Sequence, residues 1–370
     1  GFSINALYSP FTNWDVLVAK FAEDHRNPQT HKTFVNLYLG LPWKEAGSAP
    51  EWTILMRRAA DEPAKLRQIP PGGLAVLGGM DVQKEELRYE VAALGIGKES
   101  WSIDIGSIPG DTADMGPNGP WMQAHELLAR RYPDAFGRTR GIDMMAIDSG
   151  YNTQAVYDFV RRHHNAMAVK GVAGPHTPVL AQAKKEEVTQ GGKLNRRGIR
   201  LWRVGAWRIK SELYGYLRKE PPKAANADWP LGYCHFTAEH PEHFFKELVA
   251  EHLVTRTRNG RAVMEWVETG PNHHLDTRVY LMAAAEWKGL SRLTVGDWQA
   301  LAARLEVPDS AIEQGLFALA RTRARASSPA DGKPPAVASD DPMKNLPASE
   351  RWKKPKKRPQ QSSNRPYWQR

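Results

Sequence analysis

At 370 residues, with 41% hydrophobic and 25% charged side chains, the chain is long enough for one large folded domain or two ordinary ones with a core to match. Its one cysteine, Cys234, excludes an internal disulfide and a cysteine-rich zinc site, and no apolar run approaches the ~20 residues a membrane-spanning helix needs, so a reducing, cytosolic setting is expected. The net charge of +10 is mostly a property of the last twenty residues, which hold eight Lys or Arg and no acid; without them 43 basic residues face 41 acidic ones, and a basic surface must be argued from patches.

The opening, GFSINALYSPF, reads as an internal stretch, and the chain is expected to be part of a longer protein. Residues 1–70 carry helical and aromatic signals but no active centre, and are read as a connecting or packing segment. Within them WDVLVAKFAEDH has apolar residues at helical spacing, and EWTILMRRAADEP is a short helix closed by Pro63. From Leu74 the pattern turns to strands: LAVLGGMDVQ, then ELRYEVAALGIG across a tight polar turn, then ESWSIDIGSIPG with Trp101, Ile103 and Ile105 on one face. Short links make these an antiparallel meander. WMQAHELLARRYPD is a helix stopped before Pro133, and IDMMAIDSG is a continuous apolar strand of the kind buried on both faces. NTQAVYDFVRRHH follows as a second helix and NAMAVKGVAG as a further strand. Over residues 71–305 this order predicts an α/β fold: a mixed sheet, part antiparallel meander and part parallel strands, flanked by helices.

AQAKKEEVTQGGKLNRRGIRLWRV reads as a basic loop or hairpin around Gly191–Gly192. RIKSELYGYLRKE is a helix ended before Pro221, HPEHFFKELVAEHLV another helix throughout its length, and GRAVMEWVE a strand. HHLDTRVYLMAAAEWKGL is a strong helix with Asp276 near its start, followed by a shorter one in VGDWQALAARLEV. Residues 306–370 are expected to be a helical end and a disordered basic tail. Past about residue 320 too little apolar area remains to offset the ordering entropy.

Three carboxylates stand out. Alternation with Met80 and Val82 puts Asp81 within a strand, a costly place for a lone buried charge. Asp148 ends a second central strand, and Asp276 heads the late helix. Packed together they repel, and such a cluster persists only around positive charge. Hard divalent cations, Mg²⁺ or Mn²⁺, are the natural occupants of an all-oxygen site, and two such ions suit phosphodiester hydrolysis of nucleic acid. Asp148-Ser149-Gly150 makes a strand-to-helix turn whose N–H groups are expected to face phosphate. His273 and His274 are candidate accessory ligands or proton shuttles, with one of the two expected at the surface. Lys184, Lys185, Lys193, Arg196, Arg197 and Arg200 form the candidate DNA-binding set.

Plainer readings stand beside these. An Asp at a strand end is usually a cap or turn former, the role expected of Asp104 and Asp143. Asp276 also suits a helix N-terminus electrostatically, and a loop with both signs of charge is often only a solvated one. No GxxxxGK[ST] motif occurs, so no P-loop ATPase lies in this chain.

Four segments taken together, TFVNLYLGLPW, GGMDVQKEELRYEVAALGIGKESWSID, AIDSGYNTQAVYDFV and PNHHLDTRVYLMAAA, resemble the large terminase subunit of tailed phages, GpA type. More narrowly they resemble its C-terminal nuclease domain, in the right order across about Phe34 to Leu290. The resemblance implies an RNase H-like fold and a metal-dependent endonuclease that cuts concatemeric double-stranded viral DNA during packaging. Its three acidic motif positions fall on Asp81, Asp148 and Asp276, holding two Mg²⁺ or Mn²⁺ ions. It implies further a small terminase subunit that supplies cleavage specificity, a portal protein docked by the extreme C-terminus, and a place of action in the host cytoplasm at the procapsid. The family's ATPase motor is absent, so translocation is not expected of this stretch. Before the last Asp the family often has an acidic or other polar residue where His273 and His274 stand, which leaves a fourth ligand open. Two rivals remain: a non-catalytic DNA- or portal-binding module, and an actin-like ATPase, disfavoured by the lack of a second Gly-rich phosphate loop.

Overall fold

A computed structural model of the chain describes residues 5–9, 12–24, 33–35, 37–40, 50–190, 193–222, 228–258 and 261–327. The chain divides into Gly1–Arg323 and Ala324–Arg370; the described part of the second is the end of one helix, and the expected basic tail lies outside the described residues. Helices α1 (Trp14–Asp24) and α2 (Trp52–Ala60) come first, at the two places where apolar spacing predicts them. Strands β1 (Ala75–Val82), β2 (Glu86–Leu94) and β3 (Ser100–Pro109) are the expected meander, each antiparallel to the next. Helix α3 (Pro120–Ala129) opens on proline, whose missing N–H costs nothing at a first helical position.

A small hairpin, β4 (Arg131–Pro133) and β5 (Thr139–Gly141), follows. It was not expected from the sequence. Its turn is held by Asp134, whose Oδ1 accepts the N–H groups of Phe136 and Arg138, both at 2.9 Å. Then β6 (Met144–Asp148), α4 (Thr153–Arg162) and β7 (Ala166–Val172) make a crossover unit of parallel strands. β8 (Lys184–Gln190) and β9 (Lys193–Gly205) settle the basic segment as a hairpin, with β9 parallel to β7. The remainder is α5 (Ala206–Leu217), β10 (Cys234–His235), α6 (Glu242–Leu248), the separate hairpin β11 (Glu251–Arg258) and β12 (Arg261–Glu268), α7 (His273–Trp287), α8 (Val295–Arg304) and α9 (Glu313–Ser327).

Two expectations need correction. The helix expected over HPEHFFKELVAEHLV stops at Leu248, and Glu251–Arg258 is a strand. Residues 251–254 alternate inward and outward as well as they fit a helix, and pairing with β12 decides between the two. The last helix also runs on to Ser327, past the point where composition predicts disorder.

The main sheet runs β10-β3-β2-β1-β6-β7-β9-β8. Four of its seven pairings are parallel. With helices on both faces this is a mixed α/β fold with an RNase H-like arrangement. β1 is central and buried at every position. One face, with Leu77, Ala146 and Val169, packs on α5, α6 and α7; the other, with Met80, Met145 and Ile147, packs on α3 and α4. Each fully buried Leu or Phe in these layers contributes roughly 1.5–3 kcal/mol. No described helix is long and apolar enough to cross a membrane.

Candidate active site

Residues 77–80 of β1 pair in parallel with residues 144–147 of β6. Carried one step on, that register sets Asp81 level with Asp148. Residues level on neighbouring strands share a face, here the face that α7 covers. Gly79 lets the helix in. A Cβ at this position would run into the Thr277 carbonyl and stand 2.7 Å from the Leu281 amide nitrogen. With no side chain there, the first turn of α7 lies against the end of β1 and brings Asp276, just before Thr277, over the same strand tips.

Asp81 is only 3% exposed. Its Oδ2 accepts from Gln83 Nε2 at 2.7 Å and lies 3.0 Å from His273 Nδ1. Asp148 accepts the N–H of Gly150 at 3.0 Å, and the phenol of Tyr280, one helical turn after Asp276, stands beside it. Asp276 takes a long hydrogen bond from Asn272 Nδ2 at 3.3 Å and pairs with Lys210 Nζ at 3.4 Å. The same ammonium is hydrogen-bonded to Glu251, and Asn272 Nδ2 also reaches Glu251 at 2.8 Å.

The electrostatics tie the three aspartates together. Burial pushes Asp148 up to about 6, and the charge of Asp81 adds to the rise against the Gly150 N–H. Burial likewise pushes Asp276 up to about 6; Lys210 opposes the rise, while Asp81 and Glu251 add to it. Hydrogen bonding to Asp81 raises His273. Burial and all three aspartates hold the Tyr280 phenol well above its ordinary range. Asp81 thus acts on both of the others across a shared, poorly solvated space.

The donor set is of the right kind for a hard divalent cation, all oxygen and in surplus of negative charge. Its arrangement is not a finished cage. Among the described residues no group of three or more His, Cys, Asp or Glu is placed to hold a metal ion, and each carboxylate already has a protein donor.

The other expected residues divide. His273 reaches Asp81, as above. His274 is buried, not at the surface; its amide donates to Glu247 at 3.3 Å and burial pushes its imidazole down to about 3. The Ser149 amide and hydroxyl both donate to the Val169 carbonyl, at 2.8 Å each, and the Gly150 N–H goes to Asp148, so neither amide is left to face phosphate. Asp143 is a cap, accepting the Val76 N–H at 2.8 Å. Asp104 is not: it is buried, pairs with Arg130 at 2.5 Å and accepts from the Tyr132 hydroxyl at 2.9 Å. On the basic hairpin, Lys184 and Arg200 are exposed and Lys185 lies across from Arg200 in the ladder. The side chains of Lys185, Lys193, Arg196 and Arg197 lie outside the described residues.

Lys210, Glu251, Asn272 and Tyr280 were missed from the sequence. Asn272, Asp276 and Tyr280 are four apart, so helical spacing alone puts them on one face. No comparable signal joins Lys210 to Glu251.

The family described as "Terminase large subunit gpA, endonuclease domain" matches residues 1–298. The chain is 27% identical over 324 residues to "Terminase, large subunit" of Escherichia phage lambda, covering 84% of this chain and 47% of that protein. It is also 27% identical over 307 residues to the protein of the same description in Enterobacteria phage P21, covering 80% of this chain and 44% of that one. The chain therefore spans about half the length of the curated relatives it matches. No solved structure gives a significant match. The chain belongs to the gpA terminase endonuclease-domain family.

Proposed function

We propose that this member of the family is a metal-dependent endodeoxyribonuclease that cuts concatemeric double-stranded DNA, with Asp81, Asp148 and Asp276 as the carboxylates that would hold Mg²⁺ or Mn²⁺. One observation carries the reading: the β1–β6 register sets Asp81 level with Asp148, and the bare Gly79 lets α7 bring Asp276 over the same strand tips, so acids from two strands and a helix face one space. Ions bound there would supply charge stabilisation at a phosphodiester and a more acidic water to attack it. The chain's own residues fix the acids: Gln83 and His273 orient Asp81, Tyr280 and the Gly150 N–H orient Asp148, and Asn272 and Lys210 orient Asp276. The β8–β9 hairpin, with Lys184, Lys185, Lys193, Arg196, Arg197 and Arg200, is the proposed grip on the duplex, a backbone contact without sequence preference. A small terminase subunit for site choice and a portal protein for the basic tail are the proposed partners.

A plasmid-nicking assay in Mn²⁺ tests this. The parent is expected to nick, and Asp81→Ala or Asp148→Ala to lose at least about a hundredfold in rate, the scale of several kcal/mol of charge stabilisation. Either variant nicking like the parent would remove the assignment.

A second reading, a non-catalytic DNA- or portal-binding module, is favoured by one observation: no metal-holding group is assembled among the described residues. It predicts binding that survives Asp→Ala changes at all three positions and is lost on truncation after Ser327. A parent chain that binds DNA but never nicks it in Mn²⁺ selects this reading.

A further inference from the structure

We propose that Lys210 is the tethered counter-charge of the acidic site: its ammonium stands between Asp276 and Glu251 where a divalent cation would otherwise be drawn, and so sets how strongly the site binds metal. The inference rests on the reading of the three aspartates as a metal site. It extends that site to two residues on other elements.

Lys210 lies on α5 and is 8% exposed; Glu251 opens β11 and is 5% exposed. The ammonium is hydrogen-bonded to Glu251 and stands 3.4 Å from Asp276 Oδ1. Asn272 Nδ2 spans the same two carboxylates, at 2.8 Å and 3.3 Å. An ammonium this buried is tolerated only with anions beside it, and two carboxylates this close need a cation between them. The two requirements meet in one place. Lysine also suits a charge that has to move: it is a compact point charge on a flexible four-carbon stem, without the fixed fork that locks arginine to a carboxylate. A divalent ion and this ammonium repel each other. Each therefore weakens the other's hold on Asp276.

Lys210→Met keeps the stem and removes the charge. Mn²⁺ titration followed by electron paramagnetic resonance of the free ion is expected to show ten- to hundredfold tighter binding in Lys210→Met than in the parent, the range over which one neighbouring charge shifts a carboxylate's proton affinity. The metal-free variant is expected to melt below the parent and to be raised by Mn²⁺ more than the parent is. Lys210→Arg, which keeps a cation but locks it to the carboxylates by its fork, should bind Mn²⁺ no more tightly than the parent. Glu251→Gln releases the ammonium to Asp276 and should weaken Mn²⁺ binding about tenfold. If Lys210→Met does not fold, Glu251→Gln decides alone. Parent-like Mn²⁺ affinity in both Lys210→Met and Glu251→Gln, with any loss of melting temperature equal with and without metal, would mean the pair only packs, and the counter-charge role falls while the metal site stands. If neither the parent nor any variant binds Mn²⁺, the metal site and the counter-charge fall together.

Discussion

Helix α7 carries two charged residues two positions apart, the buried Arg278 and the half-buried Asp276, and they are balanced in opposite ways. Arg278 is 1% exposed and pairs with Glu90 at 2.5 Å. Ser102 donates to the same carboxylate at 2.6 Å, the guanidinium reaches Ser100 at 3.3 Å, and it lies 5.5 Å over the Phe236 ring. One cation answers one anion. Around Asp276, by contrast, the carboxylates of Asp81, Asp148, Asp276 and Glu251 face the ammonium of Lys210 and the imidazole of His273. Burial is common to both groups, so burial alone does not mark function. What marks the second group is the negative charge left over among the described residues.

The largest expected effect breaks the balanced group. Arg278→Met leaves Glu90 buried without a cation and should cost about 3–5 kcal/mol in urea unfolding. Adding Glu90→Gln should recover much of that loss; a single variant as stable as the parent would show that the pair holds nothing.

Neutralising a member of the surplus group should do the reverse. Asp148→Asn is expected to lose at least about a hundredfold in Mn²⁺-dependent nicking with no loss of stability at neutral pH. The sign follows from the shift. The Asp148 carboxyl ionises at the ordinary 3.8 when unfolded and at about 6 when folded, so the unfolded chain gives up its proton first. Stability from this group is greatest below pH 4 and declines as pH rises to about 6, by on the order of 2–3 kcal/mol. Metal-free parent melting curves between pH 4 and 7 should show that decline, and Asp148→Asn should make it shallower, with Asp276 keeping its own share. Equal pH slopes in the two proteins would refute the surplus-charge account.

A smaller effect tests what brings the two groups to their places. Gly79→Ala pushes a methyl into the backbone of α7 and should cost about 1–3 kcal/mol. Gly78→Ala, on the other face, runs into the flexible thioether end of Met145, with the Glu90 carbonyl at an ordinary 3.4 Å, and should cost less. Thermal unfolding of the two variants side by side reads the difference.

Much of this was legible in the sequence. Hydrophobic period and turn residues set out the meander, the crossover unit and the order of strands. The three aspartates drew notice because each interrupts an apolar pattern. Long-range pairing was illegible: the stretch after Leu248 has no Gly or Pro to end a helix, and only its partner strand makes it β11, which hid Glu251. Lys210 sits among apolar neighbours of an ordinary helix, and nothing local says that its head meets two acids. Ser149 was misread because a turn's N–H groups look available until the neighbouring strand takes them.

The nearness of Arg278 to Asp276 also bears on tolerance. A helix advances only ~1.5 Å per residue and is stiff over a single turn. Fixing Arg278 against the middle of the sheet therefore fixes Asp276 as well, like a gauge block clamped to a datum. The acid over the strand tips takes its position from the interior of the fold rather than from the loops at the rim. Those loops can then lengthen, shorten or change sequence among relatives without moving it.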